Sequence, residues 1–345
     1  MTQLNSNPIV YNILRKLIMG KDLAGREAVL LFTQMLNCTV DAGAAKSALV
    51  LLREKQESPC EIAHAVRVLL AGALTLNFDH PNLVDNCGTG GDGKGSFNVS
   101  TVSALVAAAA GAYVAKHGNR SVSSKVGSSD LLEALGVRLD AKPATMLVCL
   151  RELRIGYFHA PYYHPLMKDI APIRKSIKGR TVFNFLGPLL NPVRVKKQVI
   201  GVSRREFVKR MAESMRILGT ERALILNGEG GMDEATPFGT THGMEIRMGK
   251  IRPFKLTAKN LGFSGGSVQG LRGGNVATNK KLALDLLRCD LSGVKKDAVL
   301  LNAGLTLVVS GVAKDVESAV ALADETILSG KALDLLKRLV EMSNR

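Results

Sequence analysis

The segment richest in potential chemistry is Gly88-Thr89-Gly90-Gly91-Asp92-Gly93-Lys94-Gly95, which follows a short apolar stretch and runs through Ser96-Phe97-Asn98-Val99-Ser100-Thr101 into a helical pattern. Glycines at this density let the backbone take positive φ and come close to a ligand. A Ser- or Thr-capped helix start just beyond would point unpaired N–H groups and partial positive charge at the same place, so an anion, phosphate above all, is the expected ligand. Two familiar phosphate loops agree in spacing and fail in chemistry. Gly88, Gly90 and Gly93 satisfy G-x-G-x-x-G, but the next strand ends in Lys116-His117 where a dinucleotide fold needs an acid for the ribose, which argues against NAD. Gly88, Gly93 and Lys94 imitate a P-loop, but Gly95 stands in place of the magnesium-holding hydroxyl, which argues against ATP by that route.

A second group follows in Lys116-His117-Gly118-Asn119-Arg120-Ser121-Val122-Ser123-Ser124, cations and hydroxyls suited to phosphate and sugar. Ser128-Ser129-Asp130 then opens a short helix, Leu131 to Leu135, stopped by Gly136, and a second helix start can face the same crevice. Other candidates stand apart. Asp233-Glu234 lies in a loop bounded by Gly230-Gly231 and Pro237, and Arg174 lies beside Lys175. Taken alone, His117 reads as a histidine bonded to backbone, the acidic pair as a solvated turn and Arg174 as a solvated charge.

These residues need a scaffold. Apolar positions recur at helical spacing from about Pro8 to Leu76, and Ser58-Pro59-Cys60-Glu61 carries the signature of a capped helix start, predicting a helix to about Leu74. After His80-Pro81, short apolar runs ending in Gly, Ser or Asn alternate with helical stretches such as Glu206 to Leu218, the pattern of βαβ units. Strands are predicted at Asn82–Asp85, Ala112–Lys116, Gln198–Val202, Ala223–Asn227 and Met244–Met248, and both loops then sit at carboxyl ends of strands, where open α/β sheets bind ligands. The Ala-rich run Val102 to Ala115 reads as a buried helix running into a strand. The proline-marked stretch from Tyr162 to about Gly179 interrupts the alternation and is assigned to the helical portion. The fold class is thus α/β: a large domain with a mostly parallel central sheet flanked by helices, plus a small all-helical domain. The expected division is residues 1–76 and 162–185 for the helical domain, 77–161 and 186–345 for the α/β domain.

Composition narrows the classes. With 345 residues, 46% of them hydrophobic, the chain can bury a large core, which excludes a disordered protein. Its 46 Lys and Arg exceed 30 Asp and Glu to give a net charge of +16, and this invites a polyanionic partner. Only 4% of residues are aromatic and the basic pairs are dispersed, which argues against nucleic acid. Five scattered Cys form neither a disulfide framework nor a zinc motif, and no signal peptide or 20-residue apolar span is read, so a cytoplasmic protein with no membrane partner is expected.

Taken in order, Gly88-Thr-Gly-Gly-Asp92, Asn98-Val-Ser-Thr101, Lys116-His-Gly-Asn-Arg120, Ser128 with Asp130-Leu-Leu-Glu-Ala-Leu-Gly136, His164-Pro-Leu-Met-Lys168, Pro172-Ile-Arg174, Arg180-Thr-Val-Phe-Asn184, Leu186-Gly-Pro-Leu-Leu-Asn-Pro192 and Gly231-Met-Asp-Glu234 resemble the motifs of the anthranilate phosphoribosyltransferase family. The agreement covers most of the chain. It implies transfer of the phosphoribosyl group of phosphoribosyl pyrophosphate to the amine of anthranilate in tryptophan biosynthesis, two magnesium ions per subunit, a homodimer, and the two-domain fold shared with nucleoside phosphorylases.

Carried over residue by residue, the resemblance implies that phosphoribosyl pyrophosphate is held by Gly88, Gly91, Asp92, Ser96, Asn98, Val99, Ser100, Thr101, Lys116, His117, Gly118, Asn119, Arg120, Ser121, Val122, Ser123, Ser124 and Ser128. Anthranilate would meet Gly88, Asn119 and Arg174, and magnesium Ser100, Asp233 and Glu234. No general base is implied, because an aromatic amine is already a neutral nucleophile. Three departures stand out: Ser129 where Ala is usual, Ala235 where a larger apolar residue is common, and the basic run Arg194-Val-Lys-Lys197. A pyrimidine nucleoside phosphorylase is the nearest rival, and a nucleic-acid-binding protein on the same fold comes from another class.

Overall fold

The structure, a computed structural model, describes residues 8–121 and 125–345. Four helices open it: α1 (Pro8–Ile18), α2 (Gly25–Leu36), α3 (Ala42–Lys55) and α4 (Pro59–Ala71). The start of α4 is fixed by the expected reciprocal cap, in which Ser58 Oγ accepts from the Glu61 amide at 3.3 Å and the Glu61 carboxylate accepts from the Ser58 amide at 2.7 Å. Glu61 does more than cap. Fully buried, it also accepts from the Leu23 amide and the Lys55 ammonium, tying three helical segments together.

The α/β alternation then begins with β1 (Leu83–Gly88), α5 (Val99–Ala109), β2 (Tyr113–Gly118), α6 (Ser128–Ala134), α7 (Pro143–Leu153) and β3 (Ile155–His159). Short helices α8 (Ala160–Tyr163), α9 (Met167–Lys175) and α10 (Phe183–Leu186) occupy the interrupting stretch, and β4 (Lys197–Gly201), α11 (Arg205–Ile217), β5 (Arg222–Asn227), β6 (Thr240–Arg247) and β7 (Lys250–Thr257) complete the sheet. The chain ends in α12 (Val276–Leu287), α13 (Val294–Ser310), α14 (Val316–Leu328) and α15 (Lys331–Ser343). Among the described residues the seven strands lie in the order β3-β2-β1-β4-β5-β6-β7, with the β5–β6 and β6–β7 pairs antiparallel and the other four pairs parallel.

Two strands escaped the sequence reading. The strand β3 follows α7 across Arg154, a non-glycine residue in the left-handed conformation (φ 62°), so no glycine marks the boundary. The edge strand β7 exposes Lys250, Arg252, Pro253 and Lys255, residues that blunt a sheet edge against further pairing and also hide its alternation. Hairpin pairing with β7 also starts β6 four residues earlier than expected, at Thr240.

Two apolar cores flank the sheet. One packs α5, α13 and the C-terminal helices against one face, and α5 is buried nearly all round because it is wedged between sheet and α13. The other joins α1–α4, α9 and α10 to α11 and to Ile200, Val202, Ile225 and Ile246 of the opposite face. The helical segments of residues 8–76 and 162–185 therefore share one core, and α11 is the element through which that core continues onto the sheet.

Candidate active site

Parallel pairing aligns Gly88 of β1 with Gly201 of β4, and Gly228 follows β5 directly, so three strand ends in a row lack side chains. The space is taken by the acidic loop. A Cβ added at Gly88 would overlap the Asp233 carboxylate, one at Gly201 the Asp233 carbonyl, and one at Gly228 the Glu234 carbonyl. The glycine-rich loop faces it: the Gly90 amide donates to Asp233 Oδ2 at 2.7 Å and Ser96 Oγ to Glu234 Oε2 at 3.4 Å. Gly90, Gly91, Gly93 and Gly95 all take positive φ, between 65° and 77°, as the loop requires.

Asp92, Asp233 and Glu234 each bring a carboxylate oxygen within 4.8 Å of the others. Burial and the neighbouring Asp92 push the Asp233 carboxyl up to about 7, and burial with Asp233 and Asp92 raises Glu234 well above the usual range. Converging oxygens that repel one another in this way suit a hard divalent cation such as magnesium, so the donor set fits the ion. Asp92, read from sequence as a phosphoribosyl pyrophosphate ligand, belongs to this acidic group. Ser100, a residue the sequence reading gave to the metal, accepts at its carbonyl from the Asn86 side-chain amide at 3.0 Å.

The expected Ser or Thr cap on the helix after the loop is corrected. Asn98 caps α5 and makes no side-chain cap bond, because its amide instead donates to the Val126 carbonyl at 3.1 Å and so ties the helix start to the segment before α6. Asp92 Oδ2, Asn98 Oδ1 and Thr101 Oγ1 are buried without a hydrogen-bond partner among the described residues, polar atoms that a ligand in this crevice would satisfy. Val99 is wholly buried in the core.

Lys116 is buried at 2% exposure and donates to the Asn86 carbonyl at 2.7 Å. Its charge is matched from below by buried Asp85, which accepts from the Asn191 amide at 2.9 Å and the His117 backbone at 3.3 Å. Burial raises the Asp85 carboxyl to about 6, against the pull of Lys116. His117 carries no such charge: burial, helped by His164 5.3 Å away, holds it down to about 3, and its Nδ1 lies 3.1 Å from the Gly187 carbonyl. It contributes a neutral imidazole rather than a cation.

Beyond β2, Asn119 is exposed and its carbonyl accepts from the Ser129 amide and the Ser128 hydroxyl. Arg120 is committed elsewhere, forming a fork onto Glu133 at 2.7 and 2.8 Å with Asp130 at 3.0 Å. The Ser121 amide donates to Asp130. Val122, Ser123 and Ser124 lie outside the described residues.

Arg174 sits on α9, across from the phosphate loops in chain order. Its guanidinium lies over the Phe183 ring, 5.1 Å from the centroid, and partial burial lowers its pKa without making it neutral. Phe183, together with Gly201 and Gly228, was not singled out from sequence. A signal existed for the glycines, since each closes a short apolar strand as Gly88 does.

A glycine-rich loop facing an acidic group at the carboxyl ends of a mostly parallel sheet defines a site for a phosphate-bearing ligand and a divalent cation. Residues 80–333 match the Glycosyl transferase family, a/b domain. The chain is 41% identical over 337 residues to the anthranilate phosphoribosyltransferase of Desulforudis audaxviator, covering 98% of this chain and 97% of that one. It is 42% identical over 328 residues to that of a Synechococcus strain, covering 95% and 96%. Among solved structures, anthranilate phosphoribosyltransferase from Thermus thermophilus superposes with a TM-score of 0.90 at 40% identity over 96% of this chain and 99% of that one. The Saccharomyces cerevisiae enzyme in complex with phosphoribosyl pyrophosphate and magnesium gives 0.88 at 25% identity, covering 98% and 99%. The chain belongs to the anthranilate phosphoribosyltransferase family.

Proposed function

We propose that this protein transfers the 5-phosphoribosyl group of phosphoribosyl pyrophosphate to the amine of anthranilate, releasing pyrophosphate, as a step of tryptophan biosynthesis. The observation that carries the reading is the meeting of Asp92, Asp233 and Glu234 with the glycine-rich loop at the ends of β1, β4 and β5. In the reaction the amine nitrogen bonds to the anomeric carbon, the carbon–oxygen bond breaks with its electron pair left on pyrophosphate, and the nitrogen's proton passes to water. Positive charge grows on the ribose and negative charge on the leaving group.

Residues of this chain meet both. Backbone amides of the glycine-rich loop other than those of Thr89, Gly90 and Lys94, which are bonded within the fold, would face the diphosphate together with the Lys116 ammonium, fixed dipoles and charge that need no reorganisation when the bond breaks. Asp92, Asp233 and Glu234 would hold magnesium, two ions per subunit in this reading, which would supply neutralisation of phosphate charge. Arg174 takes the anthranilate carboxylate through its planar fork, which suits a guanidinium stacked on an aromatic ring. Because Arg174 lies on the helical side, movement of residues 8–76 and 162–185 relative to the rest closes the site over both substrates. The apolar, exposed Tyr11 and Ile18 of α1, with Met19 just beyond its end, support a homodimer through this helix.

Purified protein mixed with anthranilate, phosphoribosyl pyrophosphate and magnesium should quench anthranilate fluorescence with stoichiometric pyrophosphate release, a clean signal in a chain with 0 Trp. No loss of fluorescence with magnesium present would overturn the assignment.

A further inference from the structure

Ser129, singled out as a departure from the family pattern, is part of a buried polar chain. Gly118 pairs with His159 across β2 and β3, and because Gly118 has no side chain the Ser128 hydroxyl and the Tyr157 phenol share the space its Cβ would fill. Four groups connect in series: Ser128 Oγ lies 3.0 Å from the Tyr157 hydroxyl, which lies 2.6 Å from Ser129 Oγ, which lies 2.8 Å from His159 Nδ1. Ser129 is fully buried and Tyr157 nearly so, whereas His159 is half-buried at a surface groove.

We propose that Ser129, Tyr157 and His159 are positioning residues that set the direction of the Ser128 hydroxyl toward phosphoribosyl pyrophosphate; this rests on Ser128 being a ligand of that substrate. Counting protons gives the mechanism. Each hydroxyl has one proton, so the chain runs in one of two senses. If Ser128 donates to Tyr157, it offers only lone pairs to the substrate, which repel a phosphate. If instead Tyr157 donates to Ser128, the Ser128 proton is free to move from the Asn119 carbonyl, 3.3 Å away, to a phosphate oxygen. That second sense needs Ser129 to donate to Tyr157 and His159 Nδ1–H to donate to Ser129.

A doubly protonated His159 can only donate and enforces the productive sense, while the neutral ring allows either. Burial and then Arg120 hold His159 below the ordinary imidazole value, and Glu133 and Asp130 of α6 oppose them; Arg138, Asp140 and Tyr162 line the same groove. Burial pushes the Tyr157 phenol up to about 12, so it stays a donor throughout.

The test is steady-state kinetics on the full chain for wild type, Tyr157→Phe, Ser129→Ala and Ser128→Ala, below and above the His159 titration. Tyr157→Phe keeps the ring and removes the hydroxyl that bonds both Ser128 and Ser129, so KM for phosphoribosyl pyrophosphate should rise about fivefold, with KM for anthranilate unchanged and Ser129→Ala moving the same way. The ratio of the Tyr157→Phe KM to the wild-type KM cancels the titration of the substrate's own phosphates. It should be largest at acidic pH and shrink as His159 loses its proton. An unchanged KM in Tyr157→Phe alongside a raised one in Ser128→Ala overturns the relay and leaves the ligand assignment standing; no change in either removes Ser128 as a ligand and the relay with it. A raised ratio that stays flat with pH removes His159 from the chain.

Discussion

The two sides of the candidate site are built on different principles. On the sheet side, function rests on backbone: Gly88, Gly201 and Gly228 clear room for the acidic loop, and amides such as that of Gly90 make the contacts. On the helical side the proposed function rests on one side chain, the Arg174 guanidinium over Phe183. A region assembled by close approach has no slack, so added volume harms everything it holds. A region that presents a charge from a short helix can lose that charge and fail toward one substrate only.

The most damaging change should therefore be the addition of a single uncharged methyl group. Gly201→Ala drives Cβ into the Asp233 carbonyl, where only movement of the acidic loop relieves the overlap. We expect a loss of kcat/KM on the order of 100-fold or more from misplaced groups, together with about 1–3 kcal/mol of stability. Activity within a few-fold of wild type, measured beside a denaturant melt, would show that the sheet edge has slack after all. Asp233→Asn should come next, with a fall of roughly 100-fold and a magnesium titration displaced to higher concentration. Because the change relieves repulsion among three converging carboxylates, the metal-free variant should melt no lower than wild type. A metal-free melting point below wild type would show that Asp233 serves the fold rather than the ion.

The contrast also explains what could be read in the chain. The glycine-rich loop is contiguous, so its phosphate chemistry is visible as a string, and the capped start of α4 is legible for the same reason. Gly90 and Asp233 are 143 positions apart, and nothing local says that they bond. The same distance hid the place of Asp92 among the carboxylates and the reason for glycine at Gly201. Charge was legible without its partner: Arg120 read as a phosphate ligand, and folding set Glu133 and Asp130 beside it. His117 read as a backbone-bonded histidine from type alone, and its bond to Gly187 agrees with that simpler view.

On the helical side, Arg174→Ala should raise KM for anthranilate by roughly 30- to 100-fold, the value of a charge-assisted bidentate pair, while KM for phosphoribosyl pyrophosphate stays within about twofold. Arg174→Lys should recover little, since an ammonium cannot reproduce the planar fork. Equal damage to both substrates in Arg174→Ala would erase the proposed difference between the two sides.

The finest test of that difference is the ring beneath the guanidinium. Phe183 is buried at 5% exposure in the core that α9 shares with α2 and α10, so its primary work is packing. Its face also steadies Arg174, whose charge is partly desolvated. Phe183→Leu keeps most of the apolar volume and removes the π face, which is worth about 1 kcal/mol for a cation at a partly buried site. KM for anthranilate should therefore rise about fivefold at unchanged kcat. A packing defect would instead lower the melting point and disturb both substrates. Combining Phe183→Leu with Arg174→Ala separates the two causes: if the ring acts through the guanidinium, the double variant is no worse toward anthranilate than Arg174→Ala alone, and a full additive loss would assign Phe183 to the core only.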